Sequence, residues 1–376
     1  MSTLDISSFV PARAAPRLYL QQTRANFERV PSLDGLRAAS ILIVMLSHYV
    51  DSRLFPGGFG VLVFFVVSGF LITRLLFAET RNSGRVSLTN FYLRRFFRLY
   101  PVVTIYAATV VLFFVLTSRP FDWIEPGSAL FYFANYLYAW SSTSAHAGAT
   151  TMPFGIFWSL SVEEHFYLFF PLLFVLVRGR ALVSWMVAIC LACLACRVVL
   201  AAMYPEWLTS HIFYFTDVRL DSIAFGVLLA AICETPRSTR TIALLEHPFS
   251  VAAAAAAIFL CLAIRDAWFR ETLRYTILGA SIAVLVAAVV FSPRYAFAQV
   301  VLNSAFVRWI GMLSYSLYVW HTFLPLLLRR FAPDLPESLR VAANFALALA
   351  VAALSYYAVE KPVASLRRRV GSRTTA

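Results

Sequence analysis

Gly58-Phe-Gly-Val-Leu-Val-Phe-Phe-Val-Val-Ser-Gly-Phe-Leu-Ile-Thr-Arg-Leu-Leu-Phe77 carries one charge, Arg74, in twenty residues. A helix needs about 20 mostly apolar residues to cross a bilayer, with a range of about 17–25. The stretch therefore reads as a membrane span. Nine more apolar stretches lie near 36–50, 100–117, 156–177, 181–203, 217–234, 248–264, 275–291, 306–328 and 339–358. The first is short at its clean core and must recruit its flanks. The whole chain agrees: 376 residues, 60% hydrophobic, 16% aromatic, with a mean hydropathy of +0.74. Only 14% is charged, against about 25% in soluble domains. Five cysteines are too few, and odd in number, for a disulfide scaffold. The expected fold class is an all-α polytopic membrane protein of about ten transmembrane helices.

An eleventh segment, 128–141, is aromatic but too short to span, and is expected to be re-entrant or interfacial. Charge parity supports this. Positive residues mark the cytoplasmic side. Arg13, Arg17, Arg24 and Arg29 precede the first span; Arg81, Arg85, Arg94, Arg95 and Arg98 follow the second; Arg178, Arg180, Arg237, Arg240 and Arg367 to Arg369 recur later. Both ends count to the cytoplasm only if 128–141 does not cross. The expected organisation is a cytoplasmic segment 1–33 without a cleavable signal, one membrane domain over 34–360, and a basic cytoplasmic tail over 361–376. The net charge is +13, and Lys361 is the one lysine among 32 basic residues. This charge lies between apolar spans, so nucleic-acid binding is not expected.

Polar groups inside spans carry the functional signal, because a charge at mid-membrane costs about 2.5–3.5 kcal/mol on insertion scales. Arg37 and His48 are eleven residues apart in the first span. At about 100° per residue they share a face, roughly 16 Å apart. Alone, they read as a positive-inside anchor and an interfacial histidine. His48 is also the side chain best suited to general-base work near neutral pH, and Asp51 stands at i+3 to orient it. Arg95 and Arg98 are helical neighbours at the mouth of the third span; they read as topology or as a phosphate site. In Trp158-Ser-Leu-Ser-Val-Glu163-Glu164, the spacing of Ser161 and Glu164 is that of a capping box. Glu163 then has no structural duty and is expected to face a polar cavity. Arg219 and Asp221 read most simply as an internal ion pair. The run Ser314 to His321, with Tyr318, is rich in hydroxyls for a span and reads as interhelical hydrogen bonding. Cys190, Cys193 and Cys196 read as small packing residues, so no metal is expected.

Taken in order, these motifs resemble the membrane acyltransferase-3 family. Asp34-Gly-Leu-Arg37 with ten residues to His48 is similar to its Arg-x10-His signature. Gly60 to Thr73, Arg95-Phe-Phe-Arg98, Trp158 to Glu164, Arg219-Leu-Asp221, Ser314 to His321 and Val359-Glu-Lys-Pro362 complete the series, over about residues 32–365. One departure is Leu62, where many members have Asp. Another is that only Glu360 to Ala376 follow the last span, where many members carry a soluble hydrolase-like domain.

The resemblance implies a bacterial inner-membrane enzyme with both termini cytoplasmic. It implies transfer of an acyl group, acetyl being the expected one, from cytoplasmic acyl-CoA to a hydroxyl of a cell-surface or exported carbohydrate. Arg95 and Arg98 would grip CoA phosphates. His48, with Arg37, Glu163 and Glu164, would form the catalytic group, His48 acting as base or brief acyl carrier. Trp158, Arg219, Asp221, Tyr318 and His321 would line the acceptor site or tunnel. Three readings stay open beside it: a small-molecule, antibiotic-like acceptor; a transporter or flippase for a polar or lipid-linked substrate; and a non-catalytic assembly partner.

Overall fold

The structure is a computed structural model that describes residues 30, 32–141, 151–177, 180–209, 212–235 and 238–364. Most of the expected segment 1–33 and of the tail 361–376 lies outside the described residues, as do Arg178 and Arg237. Among the described residues there is no β-strand. A backbone surrounded by hydrocarbon must satisfy its own hydrogen bonds, and helices do this within one segment.

The helices are α1 (Leu33–Tyr49), α2 (Gly57–Ser83), α3 (Leu88–Leu116), α4 (Ile124–Leu130), α5 (Ala134–Ser141), α6 (Phe157–Leu176), α7 (Arg180–Met203), α8 (Leu220–Cys233), α9 (Ser238–Leu245), α10 (Pro248–Ala263), α11 (Ala267–Glu271), α12 (Leu273–Phe291), α13 (Ala296–Leu302), α14 (Ala305–Trp320), α15 (Leu324–Phe331) and α16 (Glu337–Ser355). Six of them, α2, α3, α6, α7, α12 and α16 with its extension to Ala364, are long and apolar enough to cross a membrane. Two bent pairs also meet the test: α9 with α10 at 55°, and the segment 293–302 with α14 at 68°. The other two expected spans are helices of 17 residues, α1, and 14 residues, α8. At 1.5 Å per residue these reach only about 25 and 21 Å, short of a hydrocarbon core of about 30 Å. Among the described residues, length and composition alone thus qualify six helices, or eight spans if each bent pair is one.

The segment expected to be interfacial forms α4 and α5, of seven and eight residues, around a turn at Phe131-Tyr132-Phe133. Neither is long enough to span. Glu125, fully buried, ties this hairpin to the start of α6's approach: its carboxylate accepts from the N–H groups of Thr151 at 2.8 Å and Met152 at 3.0 Å. The expected ninth span also differs. Its helix stops at Trp320 and restarts at Leu324, with Pro325 in the first turn of α15, a position where the missing N–H is harmless. The stop leaves His321 at a helix end.

α2 is the axis of the bundle and packs on α1, α6, α8 and α12. Its contact with α8 is close because both sides carry glycine. A Cβ at Gly69 would overlap the Ile223 carbonyl, and one at Gly226 would overlap that of Val66. Small residues let membrane helices approach where no hydrophobic effect drives them together. We expect Gly69→Leu or Gly226→Leu to destabilise the bundle by about 1–3 kcal/mol, the usual cost of overpacking. A fall in the thermal midpoint of the purified protein checks this; an unchanged midpoint would contradict the packing.

Candidate active site

Helix α1 carries an ionisable group near each end. Arg37 sits one turn in, and His48 lies on the last turn, about 16 Å further along the axis. Around Arg37, helices α1, α2, α3, α6 and α14 surround a chamber lined by Arg37, Ser68, Arg95, Arg98, Glu163, Tyr167, Ser314 and Tyr318 among others. A second cavity is lined by Asp34, Arg37, Arg98, Glu360 and Lys361 among others. Arg37 and Arg98 border both cavities. A single π-helical turn, Tyr356–Glu360, ends α16 and brings Glu360 to 2.5 Å from the Ser316 hydroxyl. Such turns recur at functional sites.

Among the described residues, Arg37, Arg95 and Arg98 make neither an ion pair nor a hydrogen bond. The contrast with Arg94 on the same helix is direct: it pairs with Glu79 at 2.7 Å. Arg95 is instead held by π faces, its guanidinium 4.5 Å from the Tyr167 ring centre. Three guanidiniums thus keep their donors free at the cavity walls, the state that bidentate phosphate recognition would use.

The two glutamates part company. Glu163 lines the chamber, where Oε1 accepts from Tyr167 Oη at 2.5 Å and from the Ser68 hydroxyl. Ser68 is unusual for a spanning hydroxyl. Ser40 and Thr73 donate back to their own helix at i−4, the common habit, while Ser68 bonds to Glu163 and Tyr167. Glu164, about 100° round the helix, faces a separate cleft with Tyr92, Arg95, Tyr100 and Tyr132, and its Oε1 is buried without a partner. The capping-box reading is corrected: α6 begins at Phe157, and Ser161 lies inside it, donating to the Phe157 carbonyl at 3.0 Å.

At the other end, His48 is exposed and does not line the chamber. Its Nδ1 lies 2.8 Å from Nε2 of His321, and Nδ1 of His321 lies 2.7 Å from the Tyr318 carbonyl. Tyr318 turns its ring into the chamber and its hydroxyl to Ser159 at 2.5 Å. The residue that contacts the imidazole is therefore His321. Asp51 instead accepts from the N–H of Arg53 at 2.6 Å. Neither Glu163 nor Glu164 hydrogen-bonds His48.

Arg219 and Asp221 do not pair. Asp221 Oδ2 accepts from Arg197 at 2.7 Å, both side chains fully buried, and Arg197 also donates to the carbonyls of Val218 and Thr272. Arg219, fully buried, has no hydrogen-bond partner. Its guanidinium sits 3.9 Å from the ring centre of Tyr275, 4.8 Å from Phe213 and 5.4 Å from Trp158, a cation–π cage. None of Trp158, Arg219, Asp221 or His321 lines the chamber. Arg197 escaped the sequence reading because it is one charge in an otherwise apolar span, which was itself the signal. Cys190 and Cys193 are buried, and among the described residues no three His, Cys, Asp or Glu groups lie close enough to hold a metal.

The helical bundle thus carries a cation-lined internal cavity and a histidine pair at opposite ends of one helix. The chain belongs to the acyltransferase-3 family, whose model, described as an acyltransferase domain, matches residues 30–359. It is similar to O-acetyltransferase OatA of Staphylococcus aureus, 31% identical over 78% of this chain and 50% of that protein. It is also similar to peptidoglycan O-acetyltransferase OatA of Listeria monocytogenes, 28% identical over 91% of this chain and 57% of that one. The chain thus spans about half the length of these curated relatives. No solved structure matches it significantly.

Breaking a buried ion pair costs about 3–5 kcal/mol, because the surviving charge is left alone. Asp221→Leu is therefore expected to lower the thermal midpoint strongly. The double variant Asp221→Leu with Arg197→Met is expected to recover much of the loss. A single variant as stable as wild type would contradict a structural pair.

Proposed function

We propose that this protein is an integral-membrane O-acyltransferase that moves an acyl group, acetyl in the simplest case, from cytoplasmic acyl-CoA to a hydroxyl of a cell-surface or exported carbohydrate. The observation that carries this reading is the set of unpaired guanidiniums of Arg37, Arg95 and Arg98 lining one internal cavity, with Arg37 and Arg98 also bordering a second. CoA is a polyanion at one end and a thioester at the other. Its phosphates would sit in the second cavity against Arg37, Arg98 and Lys361, with Arg95 deeper. The pantetheine arm would extend through the chamber toward Tyr318. His48, exposed beyond Tyr318, would meet the acceptor.

The chemistry balances without a further reagent. His48 takes the proton of the acceptor hydroxyl as its oxygen attacks the thioester carbonyl. The C–S bond breaks, and the departing CoA thiolate takes that proton from the imidazolium. Glu163, bonded to Ser68 and Tyr167, belongs to the donor chamber in this scheme rather than to the base. For the thioester to reach His48, the Tyr318 side chain must move aside.

The membrane arrangement in this reading has ten spans, with α1 and α8 completed by their flanks, both termini cytoplasmic, in the bacterial inner membrane. The carbohydrate acceptor is supported by the relatives named for peptidoglycan O-acetylation. Nothing in the geometry favours transport over transfer.

The test is acyl transfer from labelled acyl-CoA by the purified protein in liposomes. Each charge-assisted hydrogen bond contributes about 1.5–3 kcal/mol, so Arg95→Ala and Arg98→Ala should each raise the donor KM at least about tenfold, with a smaller effect on kcat. His48→Ala should lower kcat about 100-fold or more at unchanged donor KM. An unchanged KM in both arginine variants would remove the phosphate assignment, and normal turnover without His48 would remove the base.

A further inference from the structure

We propose that His321 is a positioning residue that fixes the tautomer of His48, leaving Nε2 of His48 bare as the atom that takes the acceptor's proton. The proton's origin rests on the acyl-transfer reading above; the tautomer is a property of the resting protein.

The direction of the relay follows from its far end. A backbone carbonyl only accepts. The Tyr318 carbonyl stands in the last turn of α14, where helix carbonyls lack intrahelical donors, and His321 Nδ1 lies 2.7 Å from it. That nitrogen therefore carries the hydrogen. His321 is fully buried and hydrogen-bonds no carboxylate among the described residues, so a charged ring there would be an unpaired buried ion. The neutral ring has one hydrogen, and its Nε2 is a lone-pair acceptor. His48 Nδ1, 2.8 Å away, must then donate. A neutral His48 has no second hydrogen, and Nε2 is left unprotonated.

The ring geometry agrees. The centroids are 4.9 Å apart and the planes differ by 24°. With the nitrogens at 2.8 Å, the rings meet edge to edge in nearly one plane, as an N–H···N bond requires. The relay is also anchored. The Tyr49 hydroxyl donates to the His321 carbonyl at 2.8 Å, and the His321 N–H bonds to the Leu317 carbonyl at 3.1 Å. Exposure separates the roles: His48 is open, His321 is fully buried. When His48 Nε2 takes the acceptor proton, the ring becomes cationic, and its Nδ1–H bond to His321 strengthens as a charge-assisted bond. A neutral imidazole here does the orienting work that a carboxylate does in serine hydrolase triads.

The test uses the full chain in lipid nanodiscs with ¹⁵N-labelled histidine. The protein has six histidines, and the His48→Ala difference spectrum isolates the His48 signals. The expected spectrum has a protonated, pyrrole-type Nδ1 and a bare, pyridine-type Nε2. In His321→Leu the ring should revert to the Nε2–H form that free imidazoles favour, and kcat should fall about 100-fold with the donor KM within about threefold of wild type. His321→Gln, which returns an acceptor oxygen near the Nε2 position, should recover at least tenfold of that loss. A protonated Nε2 in the wild-type protein would overturn the proposal, as would an unchanged His48 tautomer and kcat in His321→Leu. A wild-type protein with the expected tautomer but no acyl transfer would support the relay and remove only the transfer reading.

Discussion

The cost of placing a guanidinium inside a membrane bundle governs this structure. Each such charge costs about 2.5–3.5 kcal/mol on insertion scales if nothing compensates it. The protein answers in three ways. Arg197 is neutralised by Asp221 and saturated by backbone carbonyls. Arg219 is wrapped by the faces of Tyr275, Phe213 and Trp158. Arg37 and Arg98 receive neither treatment and Arg95 only the faces of Tyr167 and Phe91; all three border cavities. The first two solutions stabilise a fold. The third leaves donors free, which is what the proposed grip on CoA phosphates needs.

The same helix that opens this chamber closes on a different chemistry. α1 holds Arg37 inside the bundle and His48 at an exposed end. Between them stands Tyr318, whose ring lines the chamber, whose hydroxyl bonds to Ser159, and whose carbonyl starts the histidine relay. The proposed donor site and the proposed base are thereby linked by one residue but not merged into one pocket. Such separation suits a reaction whose two substrates come from opposite faces of a membrane.

The sequence made the class, the spans α2, α3, α6, α7, α12 and α16, and the arginine clusters readable, because apolar length and charge are local properties. Arg37 and His48 on one face followed from helical periodicity alone. What was not readable depended on the start of a helix or on distant partners. Whether Glu163 or Glu164 faces the chamber turns on one residue, about 100° of rotation, and on α6 beginning at Phe157 rather than Ser161. Asp51 was the near neighbour of His48 in sequence, yet its partner is His321, 273 residues away. Arg219 and Asp221 look like a pair two positions apart, but Arg219 stands just before α8, with its guanidinium held by aromatic rings, while Asp221 lies in the first turn. Arg197, from another helix, takes the carboxylate.

The account's central claim is that His48 serves acyl transfer to a surface glycan. The most direct measurement is the base-labile O-acyl content of surface glycans from cells lacking this gene, complemented with wild type or with His48→Ala. The account predicts that wild type restores a distinct acylated glycan and that His48→Ala, present at equal level in the membrane, does not. Equal restoration by both, or by neither, would contradict it.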